Sequence, residues 1–232
     1  MTLLSLEGYS QLILAGTWVT LKISFLSLVL SFAIGLAGAL AKLSANPVLA
    51  WAAGLYTTLI RGIPALVLML LLYFSVQMGL NRVTENFGLH QIDIDPVSAA
   101  VMVIGFIYGA YFTETFRGAY LAVPRGQMEA ALSIGMPWFR AFRRIQFPQM
   151  MRFALPGVTN NWLVLVKTAG LVSLLGINDM VKAARQAGNA TMREFFFYGV
   201  VAAIFLAITS VSQVLLQYLE RRFSVGVREA RL

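Results

Sequence analysis

The sequence predicts an all-α integral membrane protein with five membrane-spanning helices. The chain has 232 residues, of which 59% are hydrophobic and only 12% are charged, whereas soluble domains carry about 25% charged residues. Its charged residues are separated by apolar stretches that approach the ~20 residues needed to cross a bilayer. Its basic residues are concentrated in alternate loops, as is typical of the cytoplasmic side of membrane proteins.

The five expected spans cover residues 11–41, 62–81, 97–117, 154–176 and 196–219. The first follows an N-terminus without a basic region, so we interpret it as a mature span and not as a signal peptide. Pro64 lies in the first turn of the second span and Pro96 lies just before the third, and proline is tolerated at such helix starts. Only Lys167 interrupts the fourth span, and the fifth lies between Glu194 and Glu220.

Five is an odd number, so the two termini are expected on opposite sides of the membrane. One side receives twelve basic residues: Lys42, Arg61, Arg117, Arg125, Arg140, Arg143, Arg144, Arg152, Arg221, Arg222, Arg228 and Arg231. The other side receives four, namely Arg82, Lys182, Arg185 and Arg193. Because basic loops stay in the cytoplasm, the N-terminus is predicted outside and the C-terminus inside. No repeat or linker divides the chain, so residues 1–232 are expected to form one transmembrane domain.

The long polar loop at about residues 118–153 is predicted to be cytoplasmic and to form a helix–turn–helix. A helix is expected over 127–134, with Gly135 just beyond its end and Pro137 preventing its continuation. A second helix is expected from Trp138 to Phe147, ending at Pro148. Small residues in the first helix, Ala130, Ala131 and Ser133, would let a partner approach closely.

The second helix of this loop is expected to be amphipathic. Phe139, Phe142 and Ile145 fall near one face, while arginines occupy the other. Such a helix either lies on the inner membrane surface or docks on an acidic partner. Composition alone does not decide between these alternatives.

The loop resembles the EAA signature of permeases of ATP-binding cassette (ABC) importers, which reads EAA, three residues, G, nine residues and I-x-L-P. The matching positions are Glu129, Ala130, Ala131, Gly135, Ile145 and Pro148. Phe147 departs from the pattern, which has leucine there. The segments Ile60–Val67 and Gly109–Gly118 also resemble polar amino-acid permeases, and the likeness to histidine/lysine–arginine–ornithine permeases covers essentially the whole chain.

This resemblance implies a type I ABC importer permease fold and a transport subunit without catalytic activity. The six matching residues would belong to a coupling helix that sits in a cleft of an ATPase subunit. The implied partners are an ATPase dimer, a second related permease in a heterodimer and a periplasmic binding protein for histidine, lysine, arginine or ornithine. The implied location is the bacterial inner membrane. ATP would be bound by the partner, so no cofactor is expected in this chain. Nucleic acid is not expected among its partners.

Ionisable residues inside spans are costly and therefore need a partner, water or the interface. Lys22 is expected to extend toward the outer interface. Glu114 either forms a structural ion pair with Arg117, three residues away, or lines the substrate path and meets a cationic substrate. Lys167 either pairs with a partner subunit or binds the substrate carboxylate. Asn161 is a third candidate for the path, and asparagines here can also bond between helices.

Two other functional classes were compared with the importer subunit. An ion-coupled secondary transporter is the main alternative, but such proteins use inverted repeats and broken helices. A membrane-embedded enzyme needs clustered catalytic groups, and this chain has no cysteine and only His90. No phosphate-binding G-x-x-x-x-G-K-[ST] segment is present, so ATP hydrolysis would need another subunit.

Overall fold

A computed structural model describes residue 6, residues 8–88, residue 90 and residues 93–223. Within these residues the regular structure is helical throughout. The main helices are α1 (Ser10–Leu43), α2 (Pro47–Gly62), α3 (Ala65–Asn86), α4 (Pro96–Ala122), α5 (Arg125–Ser133), α6 (Trp138–Ala141), α7 (Phe147–Ala169), α8 (Met180–Thr191) and α9 (Glu194–Phe223). A π-helical turn (Phe142–Gln146) joins α6 to α7, and a 3-10 turn (Gly170–Leu175) follows α7.

Five helical segments are long and apolar enough to cross a membrane, as predicted. They are α1, α3, α4, the continuous segment Trp138–Leu175 and α9. The protein is therefore a multi-pass membrane protein. Of the arginines predicted on the inner side, Arg228 and Arg231 lie outside the described residues.

Helix α2 was not predicted, because residues 42–61 lie between the first two expected spans and no element was assigned to them. The side chain of Asn46 caps this helix by accepting from Val48 N at 2.9 Å, and Pro47 occupies its first turn. Asparagine before proline is a standard helix start, so the sequence contains a helix-start signal at Asn46 and Pro47. Pro64 separates α2 from α3, and the helix break falls at Ile63.

The centre of the fold is the contact between α1 and α4, and small residues bring the two backbones close. A Cβ added at Gly35 would lie 2.5 Å from the Cβ of Phe112, and one at Gly105 would lie 2.5 Å from Leu30. The hydroxyl of Ser31 donates to Gly105 O at 3.2 Å, across the same contact. Hydrogen bonds and close van der Waals packing replace the hydrophobic drive that helices lack in lipid.

Helix α8 packs on the first half of α1. A Cβ at Gly16 would lie 2.7 Å from the backbone carbon and oxygen of Asp179, so α1 touches the backbone at the start of α8. Gly176 precedes this helix with φ +85, and a Cβ there would meet nothing within 4 Å. Gly176 therefore does not serve close helix packing, and glycine is suited to this position because it adopts positive φ without strain.

Candidate functional site

The polar loop forms a helix, a tight turn and a second helix, as the sequence predicts. Helix α5 ends in a Schellman motif: Gly135 has φ +81, its N–H donates to Leu132 O at 3.0 Å, and Met136 N donates to Ala131 O at 3.1 Å. This motif needs a residue with positive φ directly after the helix, and glycine adopts that conformation without strain. Gly135 therefore fixes the angle at which α6 leaves the turn.

The second helix of the loop does not stop at Pro148, contrary to the prediction. Phe147 N donates to Phe142 O, five residues back, and the chain continues without a break from the π turn into α7. Proline lacks the N–H that an α-helical turn would use here, and the wider π turn accommodates this loss at the start of α7. The loop is thus joined rigidly to a membrane span.

Two glutamines hold the helices of the loop together. The side-chain amide of Gln149, on the first turn of α7, donates to Gln127 Oε1 on α5 and to Ile145 O at 2.9 Å. Ile145 and Pro148 are half-buried beside this connection. Of the six motif positions, Ile145 therefore takes part in this connection through its backbone oxygen.

The remaining motif positions are divided between the surface and the interior. Glu129, Ala130 and Gly135 are exposed, whereas Ala131 is only 3% exposed and packs inside the chain. Ala131 therefore leaves no open space for a partner, while Ala130 and Ser133 do.

An exposed apolar surface surrounds the turn. It is formed by Leu132, Ile134, Trp138 and Phe139, of which Ile134 is 79% exposed and Phe139 is 69% exposed. Phe139 was expected near one face of the helix with Phe142. Phe142 stacks on Trp138, at 5.3 Å between ring centroids, while Phe139 remains exposed. Apolar side chains exposed together in this way mark a surface for contact with protein or membrane.

A second polar site lies where α1, α2 and α4 meet. Glu114 pairs with Arg117 at 3.1 Å, as one of the two readings of the sequence predicted, and also with Lys42 at 2.5 Å. Lys42 donates as well to the hydroxyl of Thr57 on α2 at 2.9 Å. Lys42 was not predicted as a partner of Glu114, because the two residues are 72 positions apart and no local pattern connects them.

The other intramembrane candidates are not brought together with Glu114 by hydrogen bonds. Asn161 is buried and donates to Thr115 Oγ1 on α4 at 3.0 Å, so it bonds between helices as expected. Lys167 lies near the end of α7 with an exposed side chain. Lys22 is exposed on α1, and its charge acts on Asp95 at the start of α4.

Two aspartates cap helices: Asp95 precedes α4 and Asp179 precedes α8. Asp95 accepts from Ser98 N at 2.9 Å, and hydrogen bonds from the Ser98 backbone and hydroxyl hold the pKa of this exposed carboxyl below its ordinary value. Asp179 is fully buried and accepts from Lys182 N at 2.9 Å through Oδ1, while its Oδ2 has no hydrogen-bond partner among the described residues. Burial raises the pKa of Asp179 to about 6. Sequence reasoning overlooked Asp179, although aspartate before a helix is a usual cap.

Comparison with known proteins gives results at the level of sequence and of fold. Residues 16–225 match the family described as "Binding-protein-dependent transport system inner membrane component". The chain is 54% identical over 227 residues to the histidine/lysine/arginine/ornithine transport system permease protein HisQ of Escherichia coli strain K12, covering 98% of this chain and all of that protein. It is 34% identical to the octopine transport system permease protein OccQ of Rhizobium radiobacter, covering 96% and 94% of the two chains.

Solved structures of ABC transporters match the fold of this chain. A crystal structure of an amino acid ABC transporter with histidines matches with a TM-score of 0.79 and 32% identity, covering 96% of this chain and 99% of that one. The MetNI methionine ABC transporter in an inward-facing conformation matches with a TM-score of 0.69 over 92% of this chain, at 19% identity, and this second likeness concerns the fold alone.

Proposed function

The chain belongs to the family of binding-protein-dependent transport system inner membrane components, and we propose that it imports the basic amino acids histidine, lysine, arginine and ornithine. It is a non-catalytic permease subunit of an ABC transporter, and an ATPase supplies the energy. The proposal of basic substrates is supported by the near full-length 54% identity to HisQ. The alternative is an ion-coupled secondary amino-acid transporter. Uptake of labelled histidine that stops on ATP depletion but survives collapse of the proton gradient would separate the two.

The ATPase is proposed to dock on the EAA loop, with Glu129, Ala130, Ala131, Gly135, Ile145 and Pro148 as its framework. The observation that carries this proposal is the exposed apolar surface around the Gly135 turn, held rigidly on the Trp138–Leu175 segment. Aromatic and aliphatic side chains on a rigid turn suit a cleft in a soluble partner.

Gly135→Val tests this docking. A β-branched residue at φ +81 is strained, so the turn changes shape and the ATPase should be lost from a detergent pull-down of the assembled transporter. Gly118→Val is the matched control, because Gly118 lies in α4 and a Cβ there meets nothing within 4 Å. Equal recovery of the ATPase with both variants would contradict docking at this turn.

The remaining assembly is proposed as follows. The permease domain comprises residues 1–232 in the bacterial inner membrane, with the N-terminus outside and the C-terminus inside. It pairs with a second, related permease as a heterodimer, and a periplasmic binding protein delivers the amino acid. The orientation is supported by the excess of basic residues in the loops assigned to the inner side.

We retain Glu114, Lys167 and Asn161 as proposed substrate-path residues. Glu114 is the candidate with the most directly testable role, since its carboxylate would meet a cationic substrate. Lys42 and Arg117 already pair with this carboxylate within the chain. A basic substrate would have to compete with these two cations. Glu114→Gln should lower arginine uptake while the assembled complex is recovered in normal yield, and unchanged uptake would remove Glu114 from the path.

A further inference from the structure

An open polar pocket of about 490 Å³ lies at the surface where α1, α2 and α4 meet. The cavity is lined by Lys42, Thr57, Thr58, Arg61, Gly62, Tyr111 and Glu114. Its charged groups are two cations and one carboxylate, and Arg117 adds a third cation on the far side of Glu114. Glu114 balances one of these charges, so the surroundings retain an excess of positive charge and favour an anion.

Arg61 is the group best placed to bind that anion. Its guanidinium lies over the ring of Tyr111, 5.5 Å from the centroid, and makes no hydrogen bond or ion pair with the described residues. Stacking holds the guanidinium in position without using its N–H donors. Lys42 has three donors, and Glu114 and Thr57 occupy two of them, so one remains for a ligand.

The surroundings of the cavity indicate the source of the anion. Lys42 lies in the last turn of α1, and Arg61 lies in the last turn of α2. One face of α2 exposes an apolar stripe of Val48, Trp51, Leu55 and Leu59, and its Leu59 end lies within one helical turn of Arg61. A basic pocket beside exposed apolar side chains at a membrane boundary matches a lipid, which has an anionic head and apolar tails.

We propose that this cavity binds the phosphate of an anionic phospholipid, with Arg61 and Lys42 as its donors. The phosphate oxygens accept from the Arg61 guanidinium and from the free Lys42 donor, and the acyl chains lie along the α2 stripe. Thr58, whose side chain lines the cavity, supplies a hydroxyl for the headgroup. The lipid would tie α2 to α1 and α4 at the boundary of the membrane.

The test is to reconstitute the whole transporter in nanodiscs of phosphatidylcholine containing a minority of phosphatidylglycerol, and to count retained phosphatidylglycerol by native mass spectrometry. Arg61→Gln should lower its retention about fivefold, the loss expected for one basic contact near the membrane surface. Arg61→Lys keeps the charge but not the planar donor fork, so it should retain an intermediate amount. Arg222→Gln is the matched control, because Arg222 is another exposed arginine in the last turn of a helix assigned to the same side.

Retention that falls with Arg61→Gln and not with Arg222→Gln supports the lipid site. Equal retention by both variants, or an equal loss, overturns it. Inorganic phosphate that displaces phosphatidylglycerol would assign the cavity to a soluble anion. Displacement by histidine would assign it to the substrate path, and either displacement overturns the lipid assignment. These readouts measure lipid and not transport, so they are independent of whether basic amino acids are the substrate.

Discussion

At the scale of single residues, two carboxylates that lie among the packed helices differ in how well their charge is compensated. Glu114 accepts from two cations, whereas Asp179 is buried with one oxygen satisfied only by the start of its own helix. A buried carboxylate without full compensation destabilises the folded state when it is ionised. Asp179 is therefore the residue at which pH should act most directly on stability.

Asp179→Asn is expected to make the transporter more stable near pH 7. The pKa of Asp179 is raised to about 6 in the folded protein. Between the ordinary pKa of an aspartate and this value, the folded protein keeps the proton on Asp179 whereas the unfolded chain has lost it. The wild type therefore loses stability as pH rises from about 4 to 6, by roughly 2–3 kcal/mol at most. Asparagine still accepts from Lys182 N but does not titrate, so the difference in apparent melting temperature between variant and wild type should grow across this window.

Asp95→Asn is the matched control for that measurement. Asp95 also caps a helix, but it is exposed and its pKa is lowered by Ser98. Its replacement should not raise the melting temperature at pH 7. If Asp179→Asn follows the same pH profile as the wild type, the buried carboxylate does not govern the pH dependence.

Gly16→Ala is expected to destabilise the protein by roughly 1–3 kcal/mol, the usual cost of overpacking. The added methyl would lie 2.7 Å from backbone atoms of Asp179, and a backbone cannot rotate away as a side chain can. Gly54→Ala places the same methyl in open space on α2 and should be neutral or slightly stabilising. Thermal unfolding of the two variants checks this, and equal melting temperatures would contradict close packing of α1 on α8.

At the scale of elements, sequence reasoning succeeded where one strong signal dominated and failed where signals competed. The five long apolar segments and the turn at Gly135 were predicted because hydropathy and a glycine–proline pair determine them locally. The stop at Pro148 was predicted by the same local rule and is wrong, because the π turn lets the helix continue. Helix α2 was missed because the stretch between the first two expected spans was not searched for helix starts, although Asn46 and Pro47 form one.

Asn46→Ala is expected to loosen the first turn of α2, at a cost of about 1 kcal/mol for a lost cap. The side chain of Asn46 accepts from Val48 N and Leu49 N, so these two amides should exchange faster with deuterium. Asn189→Ala, inside α8, should leave α2 exchange unchanged. Unaltered protection of the two amides in Asn46→Ala would show that the cap contributes nothing there.

At the scale of the whole molecule, the distribution of basic residues along the chain predicts the orientation of the protein in the membrane. Counting basic residues predicts which loops face inward, but it does not reveal which charges meet. The contact of Lys42 with Glu114 joins α1 to α4 across 72 positions, and the cavity beside it needs α2 as a third wall. Such a site depends on how three helices pack together, and no local pattern in the sequence encodes it.

The proposed orientation predicts the accessibility of single introduced cysteines. The chain contains no cysteine of its own, so any label belongs to the introduced residue. With a membrane-impermeant maleimide on intact cells, Asn189→Cys should react, whereas Ser133→Cys should react only after the inner membrane is opened. Labelling of Ser133→Cys from outside would reverse the orientation and remove the loop from the ATPase.

The continuous helix from Trp138 to Leu175 has a mechanical consequence. At 1.5 Å per residue it is a rod of roughly 50–60 Å, and its π turn lies only a few residues from the end that carries the loop. Beyond that point the helix contains Pro156, which lacks a backbone N–H and is a usual site for a helix to bend. A displacement applied at Trp138 therefore reaches Pro156 before it reaches the turn at Gly176, and this proline divides the rod into a part that moves with the loop and a part that can bend away from it.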